Sequence, residues 1–144
     1  MERIWTYMKK FIPIIVCSIS FLVLSTCVSK KKLILPESET ISVISLQEKL
    51  SEYVKTINKR EEISKLIEEI QKQSKSTTLE SLNDQLTNVK DYIIIKFTHQ
   101  NEEKDSVVYL YTKKKRQYIE QPYAGIWEVN PDIANRIEEA FIIN

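Results

Sequence analysis

Three kinds of side chain in this sequence carry groups able to define a function: two thiols, one imidazole, and the carboxylates of two short motifs. Cys27 closes the tetrapeptide Leu24-Ser25-Thr26-Cys27 at the end of an apolar run. That spacing reads as a lipobox, the site at which an export signal is cut and the new N-terminal cysteine takes up lipid on its thiol. Leu24 and Ser25 fit the pattern, while Thr26, next to the cut, is larger than the small residue usual there. Cys17 lies in the middle of the same run and reads as a small apolar residue. With no cysteine beyond residue 27, the body of the chain has neither a disulfide framework nor a thiolate zinc site.

The imidazole and the carboxylates point to little chemistry. A Ser-His-acid hydrolase needs a histidine base oriented by an acid and reaching a nucleophile. His99, the sole histidine, ends a strand pattern beside the charged loop Gln100–Asp105 and reads as an exposed loop-end residue. Zinc needs three or four ligands of the His, Cys or acidic type, so no metal site is expected. Glu120 and Asp84 would make a glycosidase-like pair only if the fold held them about 5–9 Å apart across an open cleft. The simpler expectation is that Glu120 pairs with a Lys or Arg on a neighbouring strand and Asp84 caps a turn. No catalytic residue and no cofactor is therefore assigned.

What must position these groups is a single domain. The chain has 144 residues, of which residues 1–26 read as the export signal. Arg3, Lys9 and Lys10 precede an uncharged run from Phe11 to Val28, the order of a basic region and an apolar core in a leader. The run is 18 residues long, at the low edge for a spanning helix, so an uncleaved N-terminal anchor competes with lipidation, as does an ordinary cleaved signal. Of 21 basic and 20 acidic side chains, 18 and 19 remain after residue 26. Such a balance leaves no basic footprint for nucleic acid.

Residues 27–39, with Lys30-Lys31-Lys32 and Pro36, read as a solvated tether holding the domain off the membrane, with contact of the lysines to anionic headgroups as the alternative. The domain is expected over 40–144. Ile41–Leu46 reads as a strand. Leu46, Leu50, Tyr53, Val54 and Ile57 fall at helical spacing, although Tyr53–Ile57 alone also suits a strand. Ile63, Leu66, Ile67 and Ile70 mark a helix face, with Asn58 as its N-cap. Between Lys75 and Val89 a structured connection is expected, anchored by burial of Leu79, Leu82 and Leu86.

From Tyr92 the period changes to two. Tyr92–Thr98, Val107–Thr112 and Gln117–Gln121 form an antiparallel meander by loop length, and Ile126–Val129 resumes it. Ile93, Ile95, Phe97, Val108, Leu110 and Ile119 share the core face. Tyr92, Ile94, Tyr109, Tyr111 and Tyr118 fall on the other, which either a helix covers or a partner contacts. Pro122-Tyr-Ala-Gly125 breaks the pattern, and Gly125, the only glycine, marks a need for positive φ or close backbone approach. Asn130-Pro131-Asp132 starts a final helix whose stripe is Ile133, Ile137, Ala140 and Phe141.

Leu35-Pro36, Ser81-Leu-Asn-Asp84 and above all Tyr118-Ile-Glu-Gln-Pro-Tyr-Ala-Gly-Ile-Trp127 resemble the motifs of a domain-of-unknown-function family of small Gram-positive lipoproteins. Trp127 stands where that family usually has Tyr, and Gln85 near a position that often has Val-Pro. The resemblance, over about residues 33–141, implies an exported α+β domain without assigned activity, found in places attached to membrane sensor-peptidases. It also implies that Glu52–Ile57 is a strand. The expected fold is a small α+β domain, its antiparallel meander packed by one central and one C-terminal helix, behind an N-terminal signal or anchor helix.

The expected location is the outer face of the cell membrane, with the membrane itself as one partner through lipid on Cys27. The candidate binding surface for another envelope protein or peptide is Tyr109, Tyr111, Tyr118, Glu120, Tyr123 and Trp127, since Tyr and Trp dominate interface hot spots. Pro122 and Gly125 are its structural turn. An envelope-acting enzyme using Glu120, and an immunity or spacer lipoprotein, are the alternatives.

Overall fold

The computed structural model describes residues 31–139 apart from 85, 87 and 88. Cys27, the leader, and Ala140 and Phe141 of the last helical stripe lie outside the described residues. Among the described residues no helix is long and apolar enough to cross a membrane.

Seven strands form one antiparallel sheet: β1 (Ile41–Glu48), β2 (Val54–Ile57), β3 (Ser74–Ser76), β4 (Ile93–His99), β5 (Ser106–Lys113), β6 (Arg116–Gln121) and β7 (Gly125–Val129). Their order is β2-β1-β4-β5-β6-β7-β3. Helix α1 (Arg60–Lys72) joins β2 to β3, and α2 (Pro131–Glu139) follows β7. The α+β class, the meander and the central and C-terminal helices are as the sequence predicts.

Period-two alternation decides the core. Ile93, Ile95, Phe97, Val108, Leu110 and Ile119 are all buried on one face, together with Ile44, Leu46, Trp127 and Val129. The same apolar cluster takes in Ile63, Leu66, Ile67 and Ile70 of α1 and Ile133, Ala134 and Ile137 of α2. Both helices thus cover this face, and an ion pair between Glu69 and Arg136 ties them together outside the core. Asn130 caps α2, its side-chain oxygen accepting the Asp132 N–H at 2.9 Å. Helix α1 starts differently from the expectation: its N-cap is Lys59, with no side-chain cap bond, one residue beyond Asn58.

Three further expectations are corrected. Leu33 and Leu35 are buried in the core, and the packed unit begins at Lys31, so the tether expected over 27–39 is mostly part of the domain. A pair of leucines between lysines and a proline has no period to betray it. Ser74–Ser76 is a strand because it pairs with β7, not through its own polar composition. Leu79 and Leu82 are exposed rather than buried.

The reason for this last difference is topological. Strand β3 sits at the sheet edge and β4 in the middle, so residues 77–92 must cross β7, β6 and β5. The helices occupy one face, and the connection runs over the other as a strap. It is fastened by polar groups. Thr77 donates from its N–H and its hydroxyl to the Ile126 carbonyl at 3.3 and 2.6 Å, and the Tyr109 hydroxyl donates to the Asp84 carbonyl at 2.8 Å. At the far side the Lys49 N–H donates to the Tyr92 carbonyl at 3.0 Å.

Candidate functional site

The six residues of the candidate surface do not form one surface. Tyr109, Tyr111, Tyr118 and Glu120 stand together on the strapped face of β5 and β6, as their cross-strand pairs Tyr109↔Glu120 and Tyr111↔Tyr118 require. Trp127 points to the opposite face and is 2% exposed in the helix-covered core. Tyr109 and Tyr111 are buried as well, and Tyr123 alone is strongly exposed, at 66%. An aromatic patch open to a partner is therefore not what these residues make, because the strap covers most of the rings that alternation turned away from the core.

Glu120 is the centre of what they do make. Its Oε1 accepts from the Ser81 hydroxyl at 2.7 Å and its Oε2 from the Tyr111 hydroxyl at 3.2 Å. All three residues are buried. The ion pair expected for Glu120 does not form. Its cross-strand neighbours are Tyr109 and Ile126, and the nearby Arg116 pairs with Glu128 at 3.4 Å instead. Burial pushes the Tyr111 phenol far up, and the Glu120 charge and hydrogen bond add to the shift. The Tyr109 phenol is raised for the same first reason. Tyr111 and Tyr118 stack with centroids 5.7 Å apart, and Tyr92 of the strap meets Tyr109 edge-on at 5.4 Å. The carboxylate holds down a strap by taking two hydroxyl protons into hydrogen bonds that burial strengthens.

The turn beside it links the two sequence motifs again. The Ala124 N–H donates to the Gln121 carbonyl at 3.0 Å, with Pro122 at the second position and Tyr123, φ +58, at the third. Proline's fixed negative φ followed by a positive φ is the type II combination. A hydrogen bond to the Asp84 side chain raises the Tyr123 phenol. Gly125 has φ +156, and a Cβ there would stand 3.1 Å from the Trp127 ring. The indole N–H of Trp127 donates to the Lys31 carbonyl at 2.8 Å. The glycine thus leaves room for a ring that clasps the first residue of the packed unit.

His99 is less exposed than a loop-end residue should be, its side chain only 9% accessible. Nε2 lies 2.9 Å from the Ser106 hydroxyl, but the nearest acid, Glu102, is 3.9 Å from Nδ1 and itself 65% exposed. Nδ1 has no hydrogen-bond partner. A Ser-His-acid order is present, yet the acid does not orient the ring. Among the described residues no group of His, Cys, Asp and Glu is placed to hold a metal ion.

Sequence reasoning missed a groove of about 650 Å3 at the end of the sheet where β1 turns into β2. Its walls include Glu48, Lys49, Leu50, Tyr92, Thr112 and Glu138. Lys49 is held by the Val89 carbonyl at 3.3 Å and sits 5.0 Å from the centre of the Tyr92 ring, a cation–π distance. Leu50 is 87% exposed at the rim. Its helical spacing with Leu46 and Tyr53 hid it, since a leucine in a hairpin loop has the same sequence signature as one on a helix face.

This fold and site define a small α+β domain whose helix-backed antiparallel sheet is strapped on its other face by a polar connection. The chain belongs to the DUF5301 family, described as "Domain of unknown function (DUF5300)", which matches residues 29–128. It is similar to a solved chain described as "NMR structure of the protein from Ruminococcus gnavus", with 25% identity and a TM-score of 0.57, covering 70% of this chain and 97% of that one. No curated protein matches.

Proposed function

We propose that this chain is an extracytoplasmic lipoprotein, held to the membrane through Cys27, whose domain binds another envelope protein or peptide without catalysing a reaction. The anchor rests on the Leu24–Cys27 sequence and on a body free of other cysteines. The observation that carries the binding reading is the groove beside Leu50, where an exposed leucine, the Tyr92 ring and side chains of both charges line one concavity. Apolar walls with a few convergent polar groups are the usual make-up of a ligand site. Against an envelope enzyme stands the state of Glu120, both of whose oxygens already accept hydrogen bonds beneath the strap. A general acid or base must reach a substrate proton.

A photo-crosslinking residue placed at Leu50 in the full chain, with a second variant at Glu103 in the β4–β5 loop, tests the binding half. One discrete envelope-protein adduct from position 50 alone is expected. Equal adducts from both positions, or none from position 50, would count against it. Mass spectrometry of the mature N-terminus tests the anchor, a diacylated peptide starting at Cys27 against an intact Met1 peptide.

A further inference from the structure

We infer that the domain stands on the bilayer with the β6–β7 turn end of its sheet against the headgroups and the Leu50 groove pointing away from the membrane. This rests on the anchored reading above. Its basis is the length of the tether. The Lys31 carbonyl is pinned by the Trp127 indole at 2.8 Å, and Leu33 and Leu35 are buried behind it. Only residues 28–30 then separate Cys27 from fixed structure. Fully extended, the four steps from Cys27 to Lys31 reach at most about 14 Å. A domain on so short a link cannot stand clear of the surface. The same bound applies if the apolar run is an uncleaved anchor, because that run ends at Val28.

Which end faces the lipid follows from the register. Lys31, Lys32 and Ile34 line a shallow cavity with Gln121, Ala124 and Trp127, so the first residues of the unit lie at the β6–β7 turn. Pairing of Phe97 with Ser106 and of Gln121 with Gly125 puts the β4–β5 loop at this end too. Pairing of Glu48 with Ile93 puts the β1–β2 loop, with Leu50, at the other. The eight residues of β1 span about 27 Å at roughly 3.4 Å each. The groove is therefore carried about that far beyond the surface.

The contact chemistry is that of an anionic bilayer. Lys31 and Lys32 supply charge next to Ile34, which is 72% exposed beside them. Basic residues near a membrane surface are drawn to anionic headgroups, and an exposed apolar side chain among them suits the interface. Glu102 and Glu103 in the β4–β5 loop share this end of the sheet and are exposed. The tether therefore sets the orientation, and the lysines fix which flank touches.

The lipidated protein extracted from membranes, in which Cys27 has no free thiol, is tested in vesicles of phosphatidylglycerol and phosphatidylcholine, spin-labelled at Ile34→Cys or at Leu50→Cys. Collisions with dissolved oxygen and with a water-soluble nickel complex report depth. The label at 34 is expected at headgroup level and the label at 50 wholly aqueous. Lys31→Glu with Lys32→Glu should leave the chain bound but lift the label at 34 toward water. Trp127→Phe, with its circular dichroism unchanged, should release the pinned segment and sharpen the spectrum at 34. Equal aqueous exposure at 34 and 50 in a chain that still sediments with the vesicles overturns the orientation while leaving the anchor standing. A chain that remains in the supernatant overturns both.

Discussion

The two faces of this sheet are built on opposite principles. On the helix-covered face every inward residue of β4, β5 and β7 is apolar except Gly125, the strand-end His99 and the hairpin-end Ser106 and Thr112, and the two helices meet them with aliphatic side chains only. On the strapped face the buried sheet residues are two tyrosines and a glutamate, covered by a chain segment with no helix or strand among its described residues. The first face is held by area removed from water, which needs no direction. The second is held by a few directed hydrogen bonds, each of which fails if its partner is lost.

Breaking the first face should therefore cost the most. Phe97→Ala, at a residue with no exposed surface, is expected to destabilise by about 3–5 kcal/mol. Urea denaturation measures this, and a cost below that of the strapped-face variants would reverse the ranking of the two faces.

The strapped face should respond less, and cooperatively. Glu120→Ala leaves the Ser81 and Tyr111 hydroxyls without their acceptor and is expected to cost about 1–3 kcal/mol. Combined with Ser81→Ala the two losses should fall well short of additive, because both remove one bond. Additive losses in a double-mutant cycle would mean that Ser81 and Glu120 act separately.

This contrast also explains what could be seen in the sequence. Alternation names the core face because side-chain direction in a strand is fixed locally: Ile93, Ile95, Phe97, Val108, Leu110 and Ile119 need no knowledge of the rest of the chain. The other face could not be resolved that way. Whether Tyr109 and Tyr111 meet solvent depends on where β3 pairs, and Ser74-Lys-Ser76 has no strand pattern of its own. The motifs around Ser81 and Glu120 were legible as motifs, but their joining across 39 residues was not. Leu33 and Leu35 were likewise hidden, since two apolar residues in a basic stretch look the same in a tether and in a core.

Alkaline pH offers a probe that touches one face only. Tyr109 and Tyr111 have phenols raised in the folded protein, chiefly by burial. A raised acid binds its proton more tightly when folded than when unfolded. The stability it contributes is complete below the ordinary tyrosine value of about 10 and is lost as pH rises from there toward the folded value. Tyrosinate absorbance should accordingly lag behind that of exposed tyrosines and appear together with unfolding. Tyr111→Phe should weaken the dependence. Ionisation of Tyr109 and Tyr111 near pH 10 in the folded state would show that the strap is open.

The smallest expected effect is a gain, at a point that serves both faces equally. The β5–β6 hairpin sets Leu110 opposite Ile119 on one face and Tyr111 opposite Tyr118 on the other. Its two-residue turn is Lys114-Lys115, at φ +51 and +64. Positive φ at both central positions is the type I′ turn, which matches the twist of the strands but disfavours any side chain with a Cβ. Lys115→Gly removes that strain while widening the freedom of the unfolded chain, so the net gain should be about 0.5–1 kcal/mol. Lys115→Ala keeps a Cβ at the same φ and should gain nothing. A rise in melting temperature for glycine but not alanine identifies backbone conformation as the cause. An equal rise in both would assign it to the crowding of Lys113, Lys114, Lys115 and Arg116.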